Sequence, residues 1–203
     1  MNQFSYGILA IITACIIWGF VPVYYKLLTH VPPFELLAHR TIWSFLFFFV
    51  ILIYNGKLSE LWTSVFVSKQ DRSFIIISAV LIAINWFFFI FAIQTNNATE
   101  ASLGYFIMPL VTVVWGLIIF KEKLSHTQWF AVSLATVAIS ILTVGLTSAP
   151  WIALTLAVSF SFYAVLKKRI KISPMVSVTA EVLILIPLAL LIILYFHQGQ
   201  GGS

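Results

Sequence analysis

Arg40 and Glu181 are the ionisable residues set deepest in apolar sequence, each about two helical turns inside a long hydrophobic stretch. A charge at that depth is costly in lipid, so it faces protein, water or a solute pathway. The chemistry open to such a pair is proton carriage, ion pairing and electrostatic contact with a substrate. Glu181 is the better acidic candidate for proton coupling. Arg40 can also snorkel to the interface, and that reading outweighs contact with a substrate. Lys26 closes a hydrophobic stretch and is expected to snorkel in the same way. His39 adjoins Arg40, while His30, His126 and His197 are scattered and compose no metal site. Cys15 is the only cysteine, which excludes an intrachain disulfide. No HExxH, GxSxG, CxxC or phosphate-loop motif occurs, and no pair of aspartates lies in apolar sequence. The chain is therefore expected to be no enzyme and to use no cofactor.

A second set of residues suits binding more than catalysis. Trp18, Asn85, Trp86 and Tyr105 fall near the middle of their apolar stretches. Trp and Tyr usually sit at membrane interfaces, so a mid-depth position is informative. They are candidates to line a cavity for a flat or amphipathic organic molecule, and ordinary aromatic packing is the competing role. The Asn85 amide must find a partner in hydrocarbon, and a cavity-facing role is favoured over a helix-to-helix bond. Gly19 and Pro22 in one stretch, and Gly104 and Pro109 in another, can weaken a helix and serve gating. The same residues are also simply frequent in membrane helices.

The elements that hold these residues are long and apolar. The 203-residue chain is 62% hydrophobic and 8% charged, with a mean hydropathy of +1.07. Seven stretches of membrane-spanning length run 6–28, 34–54, 73–94, 101–120, 127–146, 149–166 and 175–196. The fold class expected is an all-α polytopic membrane protein in a lipid bilayer. Of the 11 Lys and Arg, all but Lys26 and Arg40 fall in loops on the side of the N-terminus. That bias places the N-terminus in the cytoplasm, accounts for the net charge of +5, and disfavours nucleic acid as a partner. Leu58, Leu61, Trp62, Val65 and Phe66 share one helical face, which predicts a short amphipathic helix lying on the cytoplasmic interface. Ala149, Ala153, Ala157 and Ser161 recur every four residues and predict close helix packing.

A shift of 141 residues superposes Lys26 on Lys167, Pro33 on Pro174 and Arg40 on Glu181. The first two spans thus resemble the last two. The expected organisation is a first five-helix repeat over 1–147 and a partial second repeat of two helices plus tail over 148–203. An odd-numbered unit inverts its second copy in the membrane, as in many secondary transporters. On this reading the chain is either a fragment or a natural truncation.

Several segments resemble one family in chain order. Ile17-Trp18-Gly19-Phe20-Val21-Pro22-Val23-Tyr24-Tyr25-Lys26 is similar to the first-helix motif of RarD-type permeases. Glu35-Leu36 and His39-Arg40-Thr41-Ile42-Trp43-Ser44 resemble their second helix, and Asn85-Trp86 their third. Glu100 to Ile107 with Pro109-Leu110 resembles the fourth, Glu122-Lys123-Leu124 its cytoplasmic end, and Ser159-Phe160-Ser161-Phe162-Tyr163 the sixth. These permeases form part of the EamA group of the drug/metabolite transporter superfamily. The resemblance implies a bacterial inner-membrane permease of ten helices in two inverted repeats, with a central cavity and alternating access. Met108 stands where the family usually has Asn before the fourth-helix proline, and Thr112 where it often has a second Asn. Met108 therefore joins the substrate-cavity candidates.

The function expected is export of a small organic metabolite or drug, chloramphenicol-type molecules included. A proton gradient would drive it, and a homodimer is a further expectation. The alternatives are a truncated non-functional permease, a seven-helix receptor and a lipid-modifying enzyme. The receptor reading conflicts with a cytoplasmic N-terminus, and the enzyme reading lacks clustered acids or metal ligands.

Overall fold

The computed structural model describes residues 3–64, 69–145, 150–170 and 172–200. The elements in chain order are α1 (Gln3–Leu27), α2 (Pro33–Tyr54), α3 (Leu58–Trp62), α4 (Lys69–Gln94), α5 (Ala98–Ile119), α6 (His126–Val144), α7 (Trp151–Arg169) and α8 (Pro174–Gln200). Among the described residues every regular element is a helix. Seven helices, all but α3, are long and apolar enough to cross a membrane. Their ends fall within four residues of those read from hydropathy.

Local chemistry sets the ends. Pro33 and Pro174 open α2 and α8, where a missing N–H is harmless. Ser125 and Gln128 form a capping box at α6. α2 and α4 each end in a Schellman turn. Lys57 N–H donates to Leu52 O and Gly56 N–H to Ile53 O, with Gly56 at φ +66°. At α4, Asn97 N–H donates to Ala92 O and Asn96 N–H to Ile93 O, with Asn96 at φ +64°. An asparagine tolerates that left-handed conformation, and its Oδ1 accepts from Lys26. Lys26 is therefore tied to the α4–α5 turn instead of simply snorkelling.

The bundle has two ends that polar contacts define. Gln94 Nε2 donates to Leu28 O (2.7 Å) and Val31 O (3.0 Å), so the end of α4 meets the α1–α2 loop. At the opposite end Lys168 pairs with Glu122 at 3.0 Å, and Lys168 and Arg169 both lie over Phe120. This second, basic end gathers the loops rich in Lys and Arg.

α4 occupies the centre, touching α1, α2, α5, α7 and α8. The most extensive packing joins α5 to α7 and α2 to α8. Ala153, Ala157 and Ser161 are fully buried along α7, as the four-residue spacing predicts; Ala149 lies outside the described residues. Gly104 of α5 lies so close to α7 that a Cβ there would meet Ala153 O and Leu156 Cβ at 2.9 Å each. Gly104 is thus a packing residue, which corrects its assignment to gating. α6 buries no residue, and α1 is exposed along most of its length. Outward-facing Phe, Ile, Leu and Val suit hydrocarbon, where apolar surface carries no penalty.

α3 corrects another expectation. Leu61 is buried against Leu52, Ile75, Ile170, Val176 and Ala180, and Glu60 Oε1 accepts Ser173 N–H at 3.1 Å. This short helix docks on the start of α8 instead of resting on the bilayer surface through its apolar face. Val65 and Phe66 lie outside the described residues.

Candidate functional site

Six helices leave a cavity of about 610 Å³ between them. α4 supplies its longest wall through Ile82, Asn85, Trp86 and Phe89. That i, i+3, i+4, i+7 spacing is one helical face. α1 adds Trp18 and Pro22, α2 adds Arg40, and α5 adds Tyr105. α7 adds Phe160 and Tyr163, and α8 adds Val178, Glu181 and Val182. The volume falls in the range of about 300–1,000 Å³ typical of small-molecule sites, as does an apolar lining with few polar groups.

Each pole of the cavity carries a charged group. Toward the α1–α2 loop, Arg40 Cζ sits 4.0 Å from the Trp86 ring centroid, and Nη1 donates to Tyr25 Oη at 3.0 Å. Cation–π attraction and one hydroxyl hold the guanidinium inside the bundle. The snorkelling expected of Arg40 is thereby corrected: its ring partner and its hydroxyl partner both lie within the protein. Toward the basic end, Glu181 is buried, 1% exposed. Its Oε1 accepts Lys167 Nζ at 2.5 Å and Ser177 Oγ at 3.1 Å, and its Oε2 accepts Tyr163 Oη at 3.0 Å. Lys167 Nζ also donates to Ser177 Oγ. Buried charge is tolerated when paired and hydrogen-bonded in this way.

An aromatic ladder joins the poles. Tyr25 meets Phe89 edge-on at 6.2 Å, Phe89 meets Tyr105 at 5.9 Å, and Tyr105 meets Phe160 at 6.3 Å. Phe160 then stacks on Tyr163 at 5.7 Å. The ladder thus begins at the partner of Arg40 and ends at the partner of Glu181. Edge-to-face and offset pairs at these separations add to burial and stiffen the wall.

Trp18, Asn85, Trp86 and Tyr105 therefore converge on one cavity with Arg40 and Glu181. Asn85 also bonds across helices, its Nδ2 donating to Leu156 O (3.1 Å) and Ser159 Oγ (3.2 Å). Its amide group ties α4 to α7 while the residue lines the cavity, so the two roles set against each other coincide. Met108 is a correction: it packs beside Leu103, Ile107, Ala153 and Ala157, away from the cavity. The α5–α7 contact turns that face of α5 toward α7. Lys26 is likewise absent from the lining. Gly19 has open space around its Cα, and Pro22 lines the cavity one turn after Trp18. Pro22 and Pro109 each lack the N–H that would bond the carbonyl four residues earlier, on Trp18 and Tyr105. The two helices are thus loosened beside cavity aromatics.

Phe89, Phe160, Tyr163 and Lys167 were not singled out from sequence for the site. Phe160, Tyr163 and Lys167 stand at i, i+3, i+7 on α7, and that spacing was the signal available.

Residues 5–144 match the EamA-like transporter family. The chain belongs to that family. This EamA-like chain is 39% identical to Protein RarD of Escherichia coli over 98% of its own length and 69% of that protein. It is 36% identical to an uncharacterised transporter of Pseudomonas aeruginosa, over 95% of this chain and 64% of the relative. The chloramphenicol-sensitive protein RarD of the same organism is 28% identical, over 91% and 62%. These matches set it among RarD-type members and make it a multi-pass membrane protein. The chain spans about two thirds of the length of these curated relatives. No solved structure matches it significantly.

Proposed function

We propose that this chain provides the substrate cavity of a secondary permease that exports a small organic metabolite or drug by alternating access. The observation that carries the reading is the aromatic cavity between six helices, with Arg40 at one pole and Glu181, paired with Lys167, at the other. Aromatic faces hold a flat solute without demanding one hydrogen-bond pattern, and chloramphenicol-type amphipathic molecules fit that description. The gathering of Lys and Arg loops at one end supports a cytoplasmic N-terminus in a bacterial inner membrane. Association as a homodimer belongs to the same reading, because α6 buries no residue and, apart from the side packed on α5, leaves its surface to lipid or to a second copy.

Loading is tested by binding to the full chain in lipid nanodiscs, followed through tryptophan fluorescence with planar aromatic solutes. Trp86→Ala removes a face of the cavity and is expected to weaken binding on the order of tenfold. Unchanged affinity would overturn the assignment of the cavity.

Proton coupling is assigned to Glu181. Protonating Glu181 removes the charge that Lys167 pairs with, which couples titration to the α7–α8 contact. Glu181→Gln is expected to abolish the pH dependence of transport. Transport that survives with unchanged pH dependence would rule that carrier out.

A further inference from the structure

We infer that the cavity selects an organic monoanion, with a carboxylate docked at Arg40 and an apolar or aromatic body along the Trp86–Tyr105 wall. This rests on the cavity reading above and narrows it to one charge class.

The chain has six acidic residues. Glu181 is neutralised by Lys167, and Glu122 pairs with Lys168 at the basic end. Glu60 accepts Ser173 N–H at the same end. Glu100 is buried in the first turn of α5. Glu35 lies on α2 in an outer groove that Arg40 also borders, but no ion pair within 4.0 Å joins the two. Asp71 lies in the first turn of α4, 15 residues before Trp86, which is about 22 Å of helix rise. Among the described residues no carboxylate lies within 4.0 Å of Arg40. Arg40, Lys167 and Glu181 together leave the cavity with one positive charge in excess.

The geometry fits the charge. A guanidinium carries five N–H donors, and Tyr25 accepts from one nitrogen. Trp86 takes its face, which leaves its edge as the side that pairs with a carboxylate fork. A cation held without a counter-ion in low dielectric is costly, and an anionic ligand relieves that cost. At the other pole the carboxylate is already satisfied by three donors, so it gives a cationic solute no comparable gain.

The test compares three probes of one shape and different charge: 3-phenylpropionate, 3-phenylpropionamide and 3-phenylpropylamine. Each is titrated calorimetrically into the full chain in nanodiscs of neutral phosphatidylcholine at pH 7. The anion is expected to bind about tenfold or more tighter than the amide, the margin of a charge-assisted over a neutral hydrogen bond. Arg40→Gln should remove that preference, and Arg40→Lys should keep part of it, having the charge without the fork. Equal affinity for anion and amide, with both weakened in Trp86→Ala, would overturn the charge class and leave the cavity reading standing. Tighter binding of the amine would overturn it in favour of Glu181. Binding of none of the three would overturn both readings. The wild-type ratio decides the matter even where Arg40→Gln does not fold.

Discussion

Lys167→Met destabilises the chain by about 3–5 kcal/mol, while the double substitution Lys167→Met with Glu181→Leu recovers most of that loss. Glu181 is 1% exposed, and Lys167 is its only cationic partner among the described residues. Removing the ammonium strands a carboxylate between α7 and α8, with only Tyr163 and Ser177 hydroxyls to answer it. Taking out both charges removes the desolvation penalty together with the attraction, so the double variant packs as an apolar contact. The measurement is thermal unfolding of the purified chain and these two variants in one detergent. A Lys167→Met protein that melts with the wild type would show that the pair contributes nothing to the α7–α8 contact. A double variant as unstable as the single one would show that hydroxyl bonding, and not the charge, is what matters there.

The second large effect is at Gly104. Gly104→Val is expected to cost more than the roughly 1–3 kcal/mol typical of overpacking, because its Cβ meets the Ala153 carbonyl oxygen as well as Leu156 Cβ at 2.9 Å. A backbone atom cannot rotate away, so α5 and α7 must part along their most extensive contact. Gly19→Ala is the matched control. Nothing lies within 4 Å of its added Cβ, so stability should stay level or rise slightly through better helix propensity. The comparison uses the same unfolding assay. A Gly104→Val protein as stable as the wild type would mean that the helices do not approach this closely.

Some of the site was visible before any helix was placed beside another. Trp18, Asn85, Trp86 and Tyr105 stood out because aromatic rings and an amide are unusual at mid-depth, and that is a property of position along a span. Met108 could not be told from them. Its depth is right, and only the rotation of α5 against α7 turns it into the Ile107–Ala157 cluster. Arg40 was read as an interfacial residue because its depth allows snorkelling, whereas the attraction of Trp86 and Tyr25 keeps it inside. Phe160 and Tyr163 were legible as parts of a motif but not as cavity walls. On helices apolar all round, no contrast between faces marks the one turned inward.

What the residues determined by themselves was local. Seven runs of apolar sequence dictate seven spans, since each must satisfy its own backbone hydrogen bonds in lipid. Pro33, Pro174 and Ser125 with Gln128 set where helices begin. The small residues at 153, 157 and 161 announced a close contact without naming its partner. Only the tertiary structure decided which faces meet, that Lys167 reaches Glu181 across a helical hairpin, and that Arg40 has no carboxylate within 4.0 Å among the described residues. The reason is physical: in lipid, burial does not distinguish an inward apolar face from an outward one. Helix rotation is then set by packing and a few polar contacts, and these exist only once α4, α7 and α8 lie side by side.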